Sequence, residues 1–403
     1  MLVKISWRNL WRHPVRSLMI MSTVMVGIYA GVLLMSFYNG IGQQRVTSSI
    51  EKEISHLQFH HPAFKTDYNL KYFIPDGPAI ADNLRKDTLV RSIASRTVLQ
   101  GMAATASGST GIIITGIDPE EENETTGLHQ RLVAGNYFSG IKSNQVLISR
   151  RLADKLHAKL GGKLILTYSD SSDELAAGAF KVCGFFESNN GPYDDSHLFV
   201  KRIALNSSMN LGDAVYEIAV RLKENDALVT AATLFRSSYP TVKIETWKEI
   251  APEVNYIVEA MDRMLYIFMS VIFLAIAFGI INTMHMSILE RTRELGMLMA
   301  LGMNNIRIFL MIVVETVILV LAGSPPGILL SYLTVSYLHR RGIDLRHFEK
   351  TMSSFGYDQI VYPVIDSRHY LMILSIVGFT AILSAVFPAR RAMKIIPMKA
   401  IRK

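Results

Sequence analysis

At 403 residues, with 50% hydrophobic and 19% charged side chains and a mean hydropathy of +0.25, the chain is too apolar for an ordinary soluble protein. It is also too polar to lie wholly in a membrane, so a few spans plus a sizeable soluble domain are expected. The net charge of +8 gathers at the ends, in Lys4, Arg8, Arg12 and Arg16 and in Arg390, Arg391, Lys394, Lys399, Arg402 and Lys403, a distribution that fits membrane topology and excludes a nucleic-acid footprint.

In residues 1–16 the cations recur every fourth position beside an apolar stripe of Val3, Trp7, Leu10 and Trp11. That pattern predicts an amphipathic helix lying in the interface, with its cations towards anionic lipid. Residues 17–38 form the first predicted span; positions 18–37 carry no charge and are long enough to cross ~30 Å of hydrocarbon. Within it, Gly27 and Gly31 form a GxxxG pair that lets another helix approach.

Residues 39–262 read as soluble. Strand-like runs at 56–60, 111–117, 163–168, 180–186, 197–201 and 215–222, with helical patterns at 149–158 and 227–236, predict an α+β domain that could be divided into two lobes. The acidic run 118–124 reads as a solvated loop. The single cysteine, Cys183, rules out an intrachain disulfide and leaves the redox compartment unreported.

A second span is expected at 263–289. After it, Leu295, Leu298, Met299 and Gly302 follow i, i+3, i+4, i+7 spacing, which predicts a short surface helix within 290–305. The third span, 306–338, would measure ~50 Å as one helix; Gly323-Ser-Pro-Pro-Gly327 interrupts it, so a bend is expected. It carries one acid, Glu315. A carboxylate in that position needs a partner, and Asn282, Thr283 and His285 of the second span are the nearest polar candidates. A polar loop at 339–369, a last span at 370–388 and a basic tail at 389–403 complete the chain. The expected architecture is a polytopic membrane protein: four transmembrane helices plus a large α+β extracytoplasmic domain between the first and second spans, with both termini and the 290–305 helix on the cytoplasmic side.

No catalytic or metal-binding motif is apparent. Gly161-Gly162-Lys163-Leu164 lacks the upstream glycine and the hydroxyl residue of a P-loop, and no HExxH, CxxC or GxSxG occurs. No catalytic residue and no resident metal are expected.

The run ERTRELGMLMALG at 290–302 resembles the connecting segment of FtsX/MacB-type ABC transporter permeases. The Glu315, Gly323 and Gly327 spacing and the closing Pro388-Ala-Arg-Arg-Ala392 and Ile396-Pro-Met-Lys-Ala400 are similar too. SHLQFHHP at 55–62, TGIDP at 115–119 and FKVCGFFES at 180–188 resemble the lipoprotein-releasing (Lol-type) permeases of that group. The resemblance implies a non-enzymatic permease working as a dimer with an identical or different second permease subunit, on a dimer of separate ATPase subunits that bring ATP and Mg. Closure of those subunits would push on a coupling site made of Glu290, Arg291, Arg293, Glu294, Leu295, Gly296, Leu298, Met299 and Gly302. Leu295, Leu298 and Met299 would dock in the ATPase groove and the charged residues would set the register. The cargo so implied is a lipoprotein, released from the inner membrane to a periplasmic carrier. MacB-like efflux or peptide export and FtsX-like control of cell-wall hydrolases are the alternatives. Two departures stand out: Met299 replaces the Arg or Lys frequent in the family, and the hairpin 168–179 is short and lacks the proline of a carrier-recruiting hook.

Overall fold

The computed structural model describes residues 14–138, 144–170, 174–348, 352, 357 and 359–394. Of the surface helix expected over 1–16, residues 1–13 lie outside the described residues and 14–16 belong to the first long helix; the tail beyond 394 and the hairpin tip 171–173 also lie outside them. The chain divides into a helical unit (1–42, 259–344 and 360–403) and a mixed unit (43–258 and 345–359).

Among the described residues four helices are long and apolar enough to cross a membrane: Pro14–Ser49, Pro252–Glu290, Asn305–Arg341 and Ser367–Ala392. All but the last run well past the charge-free stretches, because a helix keeps its backbone hydrogen bonds wherever it enters polar surroundings. An i, i+4 stripe on the first helix (Ile20, Val24, Ile28 and Val32) is buried with Ile280 of the second, Ile312 and Leu319 of the third and Val377 of the fourth. The third helix is continuous through Pro325 and Pro326. Both prolines face outward, and the neighbouring Ser324 hydroxyl donates to the Val320 carbonyl of its own helix at 2.6 Å.

The glycines locate the tight crossings. A Cβ on Gly27 would sit 2.4 Å from Ile276 of the second helix, whereas one on Gly31 would make ordinary contact with Met269 at 3.6 Å. Only the first of the expected pair marks a close approach. The small-residue seam is instead Gly323 and Gly327, whose Cβ atoms would lie 2.8 and 3.0 Å from the Met21 and Met25 carbonyl oxygens, so the first and third helices meet backbone to backbone. Towards the far end of the first helix, the Val364 amide donates to the Ser36 carbonyl at 3.0 Å. The segment joining the third and fourth helices is thereby held at the end from which the first helix leads into the mixed unit.

The mixed unit holds ten strands among its described residues: β1 Leu57–His60, β2 Val90–Thr105, β3 Gly108–Ile117, β4 Leu132–Gly135, β5 Gln145–Ser149, β6 Lys163–Ser169, β7 Leu175–Phe186, β8 His197–Lys201, β9 Glu217–Leu222 and β10 Lys243–Thr246. Pairings β2–β6, β6–β7, β7–β5, β5–β8, β8–β3 and β3–β2 close a ring of six strands. Its core holds Leu99, Ile114, Ile148, Leu166, Val182 and Leu198. The first half of β2 leaves the ring to pair with β9, which pairs with β1 and that with β10. Helices Gly77–Lys86 and Leu228–Ser238 supply Leu84 and Phe235 to this second core, beside Phe59 and Ile218. Two lobes thus share one sixteen-residue strand.

The acidic run 118–124 is not a loop. It forms the helix Pro119–Thr126, capped by the Asp118 side chain accepting from the Glu120 and Glu121 amides at 3.0 and 3.3 Å. Asp at the cap followed by Pro in the first turn is a helix-start signature that outweighs the run's polarity.

Candidate functional site

The second helix ends at Glu290, and a short helix, Thr292–Ala300, links it to the third. Gly302 closes this link with φ +95°. Its amide donates to the Met299 carbonyl and the Met303 amide to the Leu298 carbonyl, both at 3.0 Å, the paired bonds of a Schellman stop, in which glycine avoids left-handed strain. Asn304 then caps the third helix, accepting from the Ile306 amide at 3.3 Å.

The faces of the link differ from those expected. Leu295 is 3% exposed and belongs to the bundle core; Leu298 and Met299 are half-buried against the same core, and Gly296 is buried. The outward residues are Glu290, Arg293, Met297, Ala300, Leu301 and Gly302, with Met297 46% and Leu301 85% exposed. The apolar stripe read as a docking face is therefore the inward seam, because an amphipathic helix on an apolar bundle buries its stripe first.

Arg291 is also turned inward. Its Nε donates to Glu294 Oε2 at 3.2 Å, and its Nη1 donates to both Glu315 oxygens at 3.1 and 3.2 Å. Arg16, at the start of the first helix, donates from Nη2 to Glu315 Oε1 at 3.2 Å, while among the described residues its Nε and Nη1 have no partner. All three side chains of this cluster are buried. Glu315 is thus held by two arginines, which corrects the expectation of Asn282, Thr283 or His285. Thr283 gives its hydroxyl to the Gly279 carbonyl of its own helix, Asn282 is exposed, and His285 Nδ1 has no partner. The pattern search looked for an uncharged partner within the spans and missed cations at the span ends, which alone offset a buried carboxylate. One acid now joins the first helix, the link and the third helix.

A second buried cluster lies in the mixed unit, where the lobes share β2. Arg96 donates through Nε and Nη2 to both oxygens of Glu122, at 2.8 and 2.7 Å, and through Nη1 to Glu217 at 2.8 Å. Burial would lower the Arg96 pKa, but Glu122 and Glu217 hold it above its ordinary value. Burial would raise Glu217, yet Arg96, His60 and Lys65 keep it below the usual carboxylate range. A polar cavity of about 400 Å³ opens beside this cluster, lined by Lys65, Arg96, His197 and Glu217 among others. Burial pushes His197 and the neighbouring His60 down to about 4 and Asp194 up to about 6. No motif in the sequence announced this cluster. Its signal is three charged residues standing in otherwise strand-like or capped segments.

The FtsX-like permease C-terminal family model matches residues 266–397, and the MacB-like periplasmic core domain model matches residues 17–237. The chain is 22% identical over 359 residues to the uncharacterized ABC transporter permease YvrN of Bacillus subtilis, covering 82% of this chain and 86% of that protein. It is 22% identical over 214 residues to the lipoprotein-releasing system transmembrane protein LolC of Neisseria meningitidis, covering 51% of each. The periplasmic region of MacB from Actinobacillus actinomycetemcomitans matches at 15% identity with a TM-score of 0.36, over 55% of this chain and 97% of that one. Since the MacB-like match alone takes in more than half of the residues and the FtsX-like match most of the remainder, the chain belongs to the FtsX/MacB type of ABC transporter permease, a membrane protein with an extracytoplasmic domain between its first and second spans.

Proposed function

We propose that this permease is the force-receiving subunit of a transporter in the cytoplasmic membrane, dimeric with a second permease subunit and driven by separate ATPase subunits that carry ATP and Mg. The observation that carries this is the two-sided link Thr292–Ala300. Arg291 and Leu295 lock one face to the bundle, while Arg293, Met297, Ala300 and Leu301 stand free on the other. A helix held on one side and exposed on the other suits a partner that docks and pushes, and helix-in-groove recognition uses this spacing of anchors. The push then reaches Glu315 through Arg291, and a two-state displacement of the spans follows from the load.

For the cargo we favour lipoproteins, released from the inner membrane for delivery to the outer membrane. The outer-domain stretches 55–62, 115–119 and 180–188 and the likeness to LolC over half of each chain support this choice. The MacB-like periplasmic core favours efflux or peptide export as the second reading. Depleting the protein separates them. Lipoproteins retained in the inner membrane support the first reading; unchanged lipoprotein localisation with raised drug sensitivity overturns it in favour of the second. Within the first reading, Met297→Asp with Leu301→Asp is expected to abolish cargo release while leaving the bundle folded, because both side chains lie outside its core.

A further inference from the structure

An apolar groove of about 750 Å³ runs between the third long helix and the segment 363–370 that leads into the fourth. Its wall on the third helix extends from Pro325 through Leu329 and Tyr332 to His339, a face repeating at i+3 and i+4 whose ends are fourteen positions apart, or ~21 Å at 1.5 Å per residue. Pro363 and Tyr370 close the opposite side, and the His339 Nδ1–H donates to the Pro363 carbonyl at 3.0 Å, fixing the mouth. The groove belongs to the extracytoplasmic half of the bundle, because the segment carrying Pro363 is bonded next door, at Val364, to Ser36 near the end of the first span.

We infer that this groove holds one anionic glycerophospholipid of the outer leaflet, with an acyl chain along the Pro325–His339 face and the phosphate at the mouth. Length supports this: each leaflet of a ~30 Å hydrocarbon core is ~15 Å deep, so a ~21 Å groove takes a full chain and reaches the headgroup level. Aromatic placement agrees at the mouth, where Tyr370 lies beside Ser367 and Pro363, as tyrosines anchor at membrane interfaces. Charge selects the headgroup. Arg340 follows His339 and Arg368 follows Ser367, a mouth residue; both arginines are exposed. Cations are disfavoured on this side of a membrane protein by the positive-inside tendency, and a bound anion would offset them. Asp366 is exposed and immediately precedes the mouth residue Ser367, so two arginines against this acid leave the flanking sequence positive. Arg341 is occupied otherwise, donating to the Tyr337 hydroxyl at 2.6 Å. A lipid seated there would brace the third helix beside its two prolines, where it lacks two backbone donors.

The test uses the full chain in nanodiscs of phosphatidylcholine carrying a small fraction of either phosphatidylglycerol or phosphatidylcholine with a photoactivatable group on one acyl chain. Cross-linked peptides are then mapped by mass spectrometry. Phosphatidylglycerol is expected to label peptides spanning 325–339 and 363–370 at least threefold more than phosphatidylcholine. Leu329→Trp, on an exposed side chain, should reduce that labelling several-fold by filling the groove. Arg340→Gln with Arg368→Gln should erase the preference between lipids while acyl labelling persists. Equal labelling by the two lipids, label spread evenly over all four helices, or a groove labelled by neither lipid because a second copy of the chain covers it would each overturn the inference.

Discussion

The two buried charge clusters use the same residue types in opposite proportion. In the extracytoplasmic domain one arginine, Arg96, meets two acids, and each of its three guanidinium nitrogens donates to a carboxylate. In the bundle one acid, Glu315, meets two arginines, and among the described residues Arg16 keeps two nitrogens without a partner. A fully satisfied ionic network inside protein is rigid, whereas a partly satisfied one leaves desolvated groups that gain by finding new partners. The difference teaches where movement belongs. The Arg96 cluster fixes the junction of the two lobes, and the Glu315 cluster stores an unsatisfied cation beside the link that we propose receives the push.

Three measurements break or sharpen this contrast. Arg96→Met strands two buried carboxylates, so the domain's unfolding transition should lose ~3–5 kcal/mol, read by thermal or denaturant unfolding of the full chain in detergent; a loss under about 1 kcal/mol would show that the junction does not depend on the cluster. Acidification comes next. His60 and His197 have folded pKa values near 4, below the unfolded value, so each contributes ~3 kcal/mol that is present above pH 6.5 and disappears as the pH falls towards 4. Asp194, raised to about 6, works the other way. Its favoured form is the neutral one, so its contribution is present below about 4 and lost as the pH rises through 6, returning ~3 kcal/mol on acidification. The net expectation is a loss of ~3 kcal/mol between pH 7 and pH 4, and an unchanged or higher melting temperature in acid contradicts it. Glu315→Gln keeps an accepting oxygen but removes the carboxylate from two buried arginines, so it is expected to cost up to ~3–5 kcal/mol and to uncouple ATP hydrolysis from cargo movement. Retained coupling in that variant would remove the cluster from the transmission path.

The spans and most strands were legible in the sequence because apolar length and alternation are local signals. What escaped notice depends on distance along the chain. Arg16 and Glu315 are separated by 299 positions, and no pattern within a span announces a partner beyond it. β2 was invisible for another reason: Ser95, Arg96 and Thr97 lie in a run, 93–99, that is buried on both faces, so the middle of the strand breaks the alternation that would have revealed it. The periodicity of the link reports which side is apolar but not what covers it, and Leu295, Leu298 and Met299 pack against the protein's own bundle.

Strand β2 also constrains what can be rebuilt. An unbroken run of peptide bonds passes from the four-strand lobe into the closed ring, so neither lobe is a cassette that can be excised or exchanged without cutting the other. Tension applied to one is conveyed through covalent backbone to its neighbour, with no packed interface in between to slip.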